Sequence, residues 1–494
     1  MYESDLLLLI FLILLFAYLK SSFQSFIKYH QLFRKIKGPK TLPLGLIAYI
    51  FTANSEADRF QILQNLSKKY PNFYSLWFGS KYLFVTDDPN IAQKLLTYPQ
   101  CVEKNFFMEL FGFPNGLISL KSDRWKSERK LLNSSFSLPV LQSYIPIFDK
   151  SIRLGVKELQ QKCDKGEFDI KHDVTFVVMN AVLNTTFGRE ISKDVIESII
   201  KSTEKLLDIV WSRSMNPLLY YDSIYSLTSM KKQEDSHRRL IFKFIDEEWN
   251  ELQNGSKSIL ESSFIHQLIK VSNDGRMYTK EEVNDHVGTM LVAAGDTTST
   301  ALNFLFLMLA MHENIQHRIV KEINEVFGEL EDLIVDYEKL SELKYVEMVI
   351  KETLRLFSPA TGIFREVKAE VDLGKIDSEI ENLRLPQGTN LIINVFGLHR
   401  KKEIWGENAE AFNPENFLAE KMSERHNYCF LPFANGSRLC IGNRYAMIFM
   451  KLIVAHYVKN FHFSTSLKYE DVKVKAGITL GLIGDFSVAV TKRR

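Results

Sequence analysis

PFANGSRLCIG, residues 432–442, sets Cys440 between Gly436 and Gly442, and NRYAMIFMKLIVAHYV follows it as a helix-forming run. A cysteine at the mouth of a helix meets the positive end of the helix dipole, which favours thiolate over thiol. Flanking glycines allow the backbone to wrap a large flat group and to aim amide donors at the sulfur. The physical reading is a thiolate presented to a metal in an apolar site. Taken alone, a buried cysteine is more often a small hydrophobe, so the rest of the chain has to decide.

Several chemistries are excluded by spacing. No two of the 23 glycines lie two residues apart, which removes a GxGxxG dinucleotide loop, and there is no GK[ST] phosphate loop. His312 and His317 flank Glu313 but are five residues apart, about 140° around a helix, so they cannot share a metal as HExxH does. A GxSxG elbow is absent as well. With Lys+Arg 62 against Asp+Glu 60, the net charge of +2 gives no electrostatic case for nucleic acid. Four cysteines, none in a CxxC pair, exclude a disulfide scaffold and a structural zinc site of usual spacing.

The 494 residues allow several domains or one large one. A mean hydropathy of −0.10 excludes a polytopic membrane protein. Leu6 to Leu19 is nevertheless an unbroken apolar run, preceded by Glu3 and Asp5 and followed by Lys20, Lys28, Arg34, Lys35 and Lys37. As a helix it spans about 21 Å against a hydrocarbon core of ~30 Å. The basic flank after it favours an uncleaved anchor with the body on the cytosolic side, with Lys20 snorkelling and Phe23, Phe26 and Ile27 extending the apolar surface. A cleaved signal core and a buried helix are the other readings.

Beyond it, KGPKTLPLG (37–45) reads as a stiff extended connection. YSLWFGSKYLFV (74–85) reads as a hairpin turning at Gly79-Ser80, and Asp88-Pro89 as a helix cap. The chain is then mostly helical to about residue 358, with KKQEDSHRR (231–239) as a solvated helix face and NGSK (254–257) as a surface loop. Past Pro359 short strands and turns take over. This is a mainly α body with a minor β part, divided as residues 1–37 (anchor and basic linker) and 38–494 (one catalytic domain).

The spacing FxxGxRxCxG, Phe433 to Gly442, resembles the haem-binding loop of the cytochrome P-450 superfamily. Other segments agree in order. Glu352 and Arg355 in LKYVEMVIKETLRLFSPA match the family's ExxR pair, a buried brace behind the haem. AFNPENFL (411–418) resembles the PERF-type segment, with Asn416 where arginine is common. MLVAAGDTTSTALNFLFLML (290–309) resembles the oxygen-activation helix; its polar residues either back-bond to the helix or open a turn, with Asp296 relaying protons and Thr297 serving dioxygen. Ala294 stands where the family usually has glycine, so the groove there is expected to differ in shape. Trp125 and Arg129 match WxxxR.

The resemblance, which covers residues 37–494, implies a P-450 fold and a monooxygenase acting on a lipophilic molecule. It implies heme b held by Cys440 as axial ligand, cysteine thiolate being the established ligation in these enzymes. Trp125, Arg129, Arg365 and Arg438 would neutralise the propionates. DRWKSERKLLNSSFS (123–137) and LHRKKEIWGENAEAFNPENFL (398–418) look most like family 4 and its invertebrate relatives. Many members esterify haem through a glutamate where this chain has Ala293, so non-covalent haem is expected.

Since the chain carries no nucleotide or flavin loop, the electrons from NADPH must arrive through a partner. The resemblance implies an NADPH-dependent P-450 reductase, admits cytochrome b5 as an auxiliary donor, and places the protein on the endoplasmic reticulum membrane. Lys121, Arg124, Lys126 and Lys130 are candidate reductase contacts or an ordinary solvated face. A ligand-binding haem protein without turnover and an oxygen-independent isomerase or dehydratase are the competing readings; the Asp296-Thr297 pair disfavours both.

Overall fold

The computed structural model describes residues 2–39, 55–78, 80–253, 260–273, 278–329, 333, 335–376 and 380–493. Residues 40–45 of the glycine–proline connection, Gly79 of the hairpin turn and the 254–257 loop lie outside them.

Helix α1 (Tyr2–Lys35) is continuous through the apolar run and the basic stretch after it. Its second half is not a free linker, because Tyr29, Leu32 and Ile36 are buried. They pack on a four-stranded sheet made of β1 (Phe73–Phe78), β2 (Lys81–Thr86), β3 (Gly362–Glu366) and β4 (Asn390–Asn394), in the order β1-β2-β4-β3. The predicted hairpin is there, with Tyr74 opposite Val85. Strand β1 is buried on both faces. With a period of two, Phe73 and Trp77 join the cluster under α1, while Tyr74, Leu76 and Phe78 face the other way, toward Phe106 and Phe107. Asp88 caps the next helix, accepting from the N–H groups of Asn90 and Ile91 at 2.8 and 2.9 Å.

The helical body is built from α2 (Ser122–Leu132), α3 (Ile145–Gln160), α4 (Lys171–Phe187), α5 (Lys193–Met215), α6 (Ser229–Gln253), α7 (Lys280–Met311), α8 (Lys344–Leu356) and α9 (Asn443–Asn460). Among the described residues, α7 is the one helix long and apolar enough to cross a membrane, yet 67% of that stretch is buried. It is the core axis: α4 lies along it, α8 and α9 pack beside it, and Thr279 starts it with a capping box to Glu282. At Gly295 a β-carbon would come within 2.6 Å of Met179 Cε on α4, the flexible end of a side chain that packs against this turn.

The expected solvated face of α6 holds only in part. Glu234 and Arg238 are buried, paired at 2.8 Å, and Arg238 donates to the Phe111 carbonyl at 2.7 Å.

Candidate active site

A buried ion pair supports the site from behind. On α8, Arg355 donates through Nε and Nη2 to the two oxygens of Glu352 at 2.7 and 2.8 Å, both side chains being fully buried. Arg355 also donates to the carbonyls of His399, Ala409 and Ala411. Glu352 Oε1 accepts from the Asn413 N–H at 2.7 Å and the Asn416 amide at 3.1 Å. Such a pair is tolerable inside a protein because its hydrogen bonds are filled. Asn416 thus supplies one donor where an arginine would supply several. A guanidinium is still nearby: Arg425 and Arg355 lie over the ring of Trp405, at 4.5 and 4.9 Å from its centroid.

In the cysteine loop, the Cys440 N–H donates to the Phe433 carbonyl at 2.9 Å. Gly436 is left-handed, with φ +73, and a β-carbon there would sit 2.1 Å from the Leu96 carbonyl oxygen. A glycine is therefore demanded there by the protein's own backbone. Gly442 begins α9 with an ordinary negative φ. Cys440 lines a cavity and its side chain is exposed to it. Burial raises the Cys440 thiol above its usual range, while the Gly442 amide, Arg129 and Lys104 pull it back down. A metal at the sulfur would favour the thiolate further.

That cavity measures about 550 Å³ and is lined by Trp125, Arg129, Arg365, Phe433, Arg438 and Cys440. The indole of Trp125 lies 4.0 Å under the Arg438 guanidinium. Arg438 donates to the carbonyls of Val102 and Leu120, and its Nη1 is buried with no partner among the described residues. Arg129 donates to the Leu439 carbonyl at 2.7 Å. Arg365 on β3 is buried and donates to the Phe364 carbonyl. Burial pushes Arg365 down to about 10; burial and then Arg365 push Arg438 to about 9.

Lys104 joins this group, although in the sequence VEKNFF sets it between Glu103 and Asn105 with nothing to mark it as part of a site. Its ammonium is lowered well below the usual lysine range by burial, then by Arg365 and Arg438. Cations that depress one another at an enclosed edge are suited to a dianion. The sulfur, the orphaned Nη1 and this cluster fit a haem with its two propionates.

Opposite, α7 runs unbroken through Gly295–Thr298, so the expected opened turn is not formed. The Thr297 hydroxyl donates to the Ala293 carbonyl at 2.7 Å. Asp296 accepts from the Thr479 hydroxyl at 2.8 Å and is pushed up to about 6 by burial. Ala293, Ala294, Asp296 and Thr297 all line the cavity, as do residues from 105–119, 207–221, 360–364 and 478–479. The wall from 105–119 is anchored to the helices beside it: Arg238 donates to the Phe111 carbonyl, and Asp285 accepts from the Asn115 backbone and side chain at 2.9 Å. Of the candidate reductase contacts, Lys121 pairs with Glu109 and Arg124 with Glu282, while Lys126 and Lys130 are exposed.

Residues 37–480 match the family model described as Cytochrome P450. Among similar proteins, "Probable cytochrome P450 313a4" of Drosophila melanogaster is 28% identical over 469 residues, 92% of this chain and 93% of that one. "Cytochrome P450 4c21" of Blattella germanica is 27% identical over 463 residues, covering 90% and 91%. "Cytochrome P450 4g1" of Drosophila melanogaster is 24% identical over 510 residues, covering 94% and 90%.

Proposed function

The chain belongs to the cytochrome P450 family and is a haem-dependent monooxygenase, and from that premise we propose that it oxidises a lipophilic small molecule, a fatty acid, a hormone- or pheromone-type lipid or a xenobiotic, with electrons relayed from NADPH by a membrane-bound reductase. The observation that carries this reading is the shared cavity, where the Cys440 sulfur and the cation cluster meet the Asp296–Thr297 stretch of α7. When bound, haem supplies the activation of O2, with one oxygen atom entering the substrate and the other leaving as water. Cys440 would hold the iron, and Trp125, Arg129, Arg365 and Arg438 would hold the propionates. Asp296 handles protons at its carboxylate, an acid whose burial brings it near working pH. The aromatic wall excludes water and favours apolar substrates.

The membrane anchor belongs to the same proposal. Leu12, Phe16, Leu19, Phe23 and Ile27 recur at helical spacing along α1 and are all exposed, which supports insertion in the endoplasmic reticulum membrane with the body on the cytosolic face. Reconstitution with an NADPH reductase and isotopically labelled O2 tests the activity. Label in the product, one atom per NADPH, is expected. Haem binding without NADPH consumption would leave a ligand-binding protein, and product without label an isomerase or dehydratase. Cys440→Ser should abolish the red-shifted Soret band of the reduced CO complex.

A further inference from the structure

Asp296 is held from outside its own helix. Strands β5 (Val474–Ala476) and β6 (Leu480–Leu482) form a hairpin whose tip, residues 477–479, lines the cavity. The tip is closed by the Gly477 N–H on the Thr479 carbonyl at 3.0 Å. It is moored by the Leu480 N–H on the Pro359 carbonyl at 2.9 Å. Ile478 packs into the cluster of Phe113, Leu207 and Val292, the apolar wall a substrate would meet. The next residue turns its hydroxyl to the carboxylate of Asp296.

We infer that Thr479 is the positioning residue of Asp296: its hydroxyl fixes the carboxylate at the cavity edge and ties the acid to the hairpin that forms the substrate wall. The inference rests on the reading of Asp296 as the proton-handling group. The hydroxyl is well chosen for this task. It donates to the ionised form without adding a charge, so it orients the group without converting it into a salt bridge. The charged alternatives lie on the other helices facing Asp296: Lys171 at the start of α4, and Glu204 and Asp208 on α5. Lys171 is already engaged with Glu204 at 3.1 Å. Without the Thr479 hydroxyl, Lys171 is the nearby cation that would draw the carboxylate away.

Three variants of the reconstituted holoenzyme test this: Thr479→Val, which keeps the shape and removes the donor, Thr479→Ser, which keeps the donor, and Asp296→Asn. The first readout is the infrared band of the protonated Asp296 carboxyl followed with pH, identified by its loss in Asp296→Asn. Removing a donor to the ionised form raises the midpoint, by about one unit for a hydrogen bond to a charged group. Thr479→Ser should titrate as the natural protein does. The second readout is the share of NADPH electrons recovered as hydrogen peroxide. Thr479→Val should raise that share several-fold and lower kcat with little change in KM, and Thr479→Ser should restore both. Uncoupling by Asp296→Asn together with natural titration and coupling in Thr479→Val would overturn the inference alone. If Asp296→Asn couples as the natural protein does, the proton-handling role of Asp296 fails, and the inference with it.

Discussion

His399 accepts a hydrogen bond from the backbone N–H of Leu431 at 2.8 Å, immediately before the cysteine loop begins at Pro432. Its other ring nitrogen lies 3.1 Å from the Arg355 carbonyl. With Nε2 accepting, the proton belongs on Nδ1, which then donates to Arg355. One neutral imidazole therefore joins the helix of the buried ion pair to the segment that carries the ligand.

This neutrality predicts a pH signature. Burial, then Arg355, pushes His399 down to about 3, whereas an unfolded histidine titrates near ~6.5. Between those values the unfolded chain binds the extra proton, so the contribution to stability is complete above ~6.5 and is lost progressively toward about 3. From pH 7 to pH 5 that loss amounts to about 2 kcal/mol. Urea unfolding at the two pH values should show His399→Gln less stable at pH 7 but with a shallower acid loss than the natural chain. Equal slopes would remove His399 from the account.

The ion pair itself should be unforgiving. Glu352→Gln leaves the Arg355 charge buried without its carboxylate, an effect of about 3–5 kcal/mol, and the protein should accumulate with little haem. Asn416→Ala removes one of the donors to Glu352 and should cost about 1–2 kcal/mol, with haem still incorporated. Haem-to-protein ratio and thermal melting separate the two cases, and matched losses would mean that Asn416 matters far more than one amide.

The readable parts of the sequence were those where a local rule coincides with the tertiary demand. The hairpin at 74–85 and the Asp88 cap depend on neighbours only a few residues away. Cys440, Glu352 and Arg355 were readable through a spaced pattern. Lys104, His399, Thr479 and Arg425 were not, because each gains its meaning from a partner far along the chain: Thr479 from Asp296, His399 from Leu431 and Arg355. The KKQEDSHRR stretch misled for a related reason. Charge alone suggested solvent, but the Glu234–Arg238 pair neutralises itself and can be buried under the 105–119 wall.

Ala293 bears on how haem is retained. Its methyl side chain faces the cavity and offers no carboxylate for an ester. On the proposed reading, retention would fall to non-covalent contacts, the sulfur, the cation cluster and the apolar lining of the cavity. Acid-acetone treatment should release all the haem from the polypeptide; pigment remaining on the chain after denaturing electrophoresis would contradict this.

The two halves of α1 should separate under truncation. Deleting residues 1–28 removes the exposed apolar face but leaves Tyr29 stacked on Tyr82, with ring centroids 4.7 Å apart, and Leu32 and Ile36 in the core. Deleting residues 1–37 also strips Tyr29 and Phe33 from Trp77, which is fully buried in the intact chain. Each aromatic pair is worth about 0.5–1.5 kcal/mol beyond the area it covers, and the bared sheet face would add an exposed apolar patch. The shorter deletion should therefore leave the membrane fraction as a monomer melting close to the full chain. The longer one should melt lower and aggregate. Sedimentation after phase separation, with melting curves on both proteins, reads the difference; identical melting would mean that the aromatic contacts of α1 contribute nothing to the stability of the body.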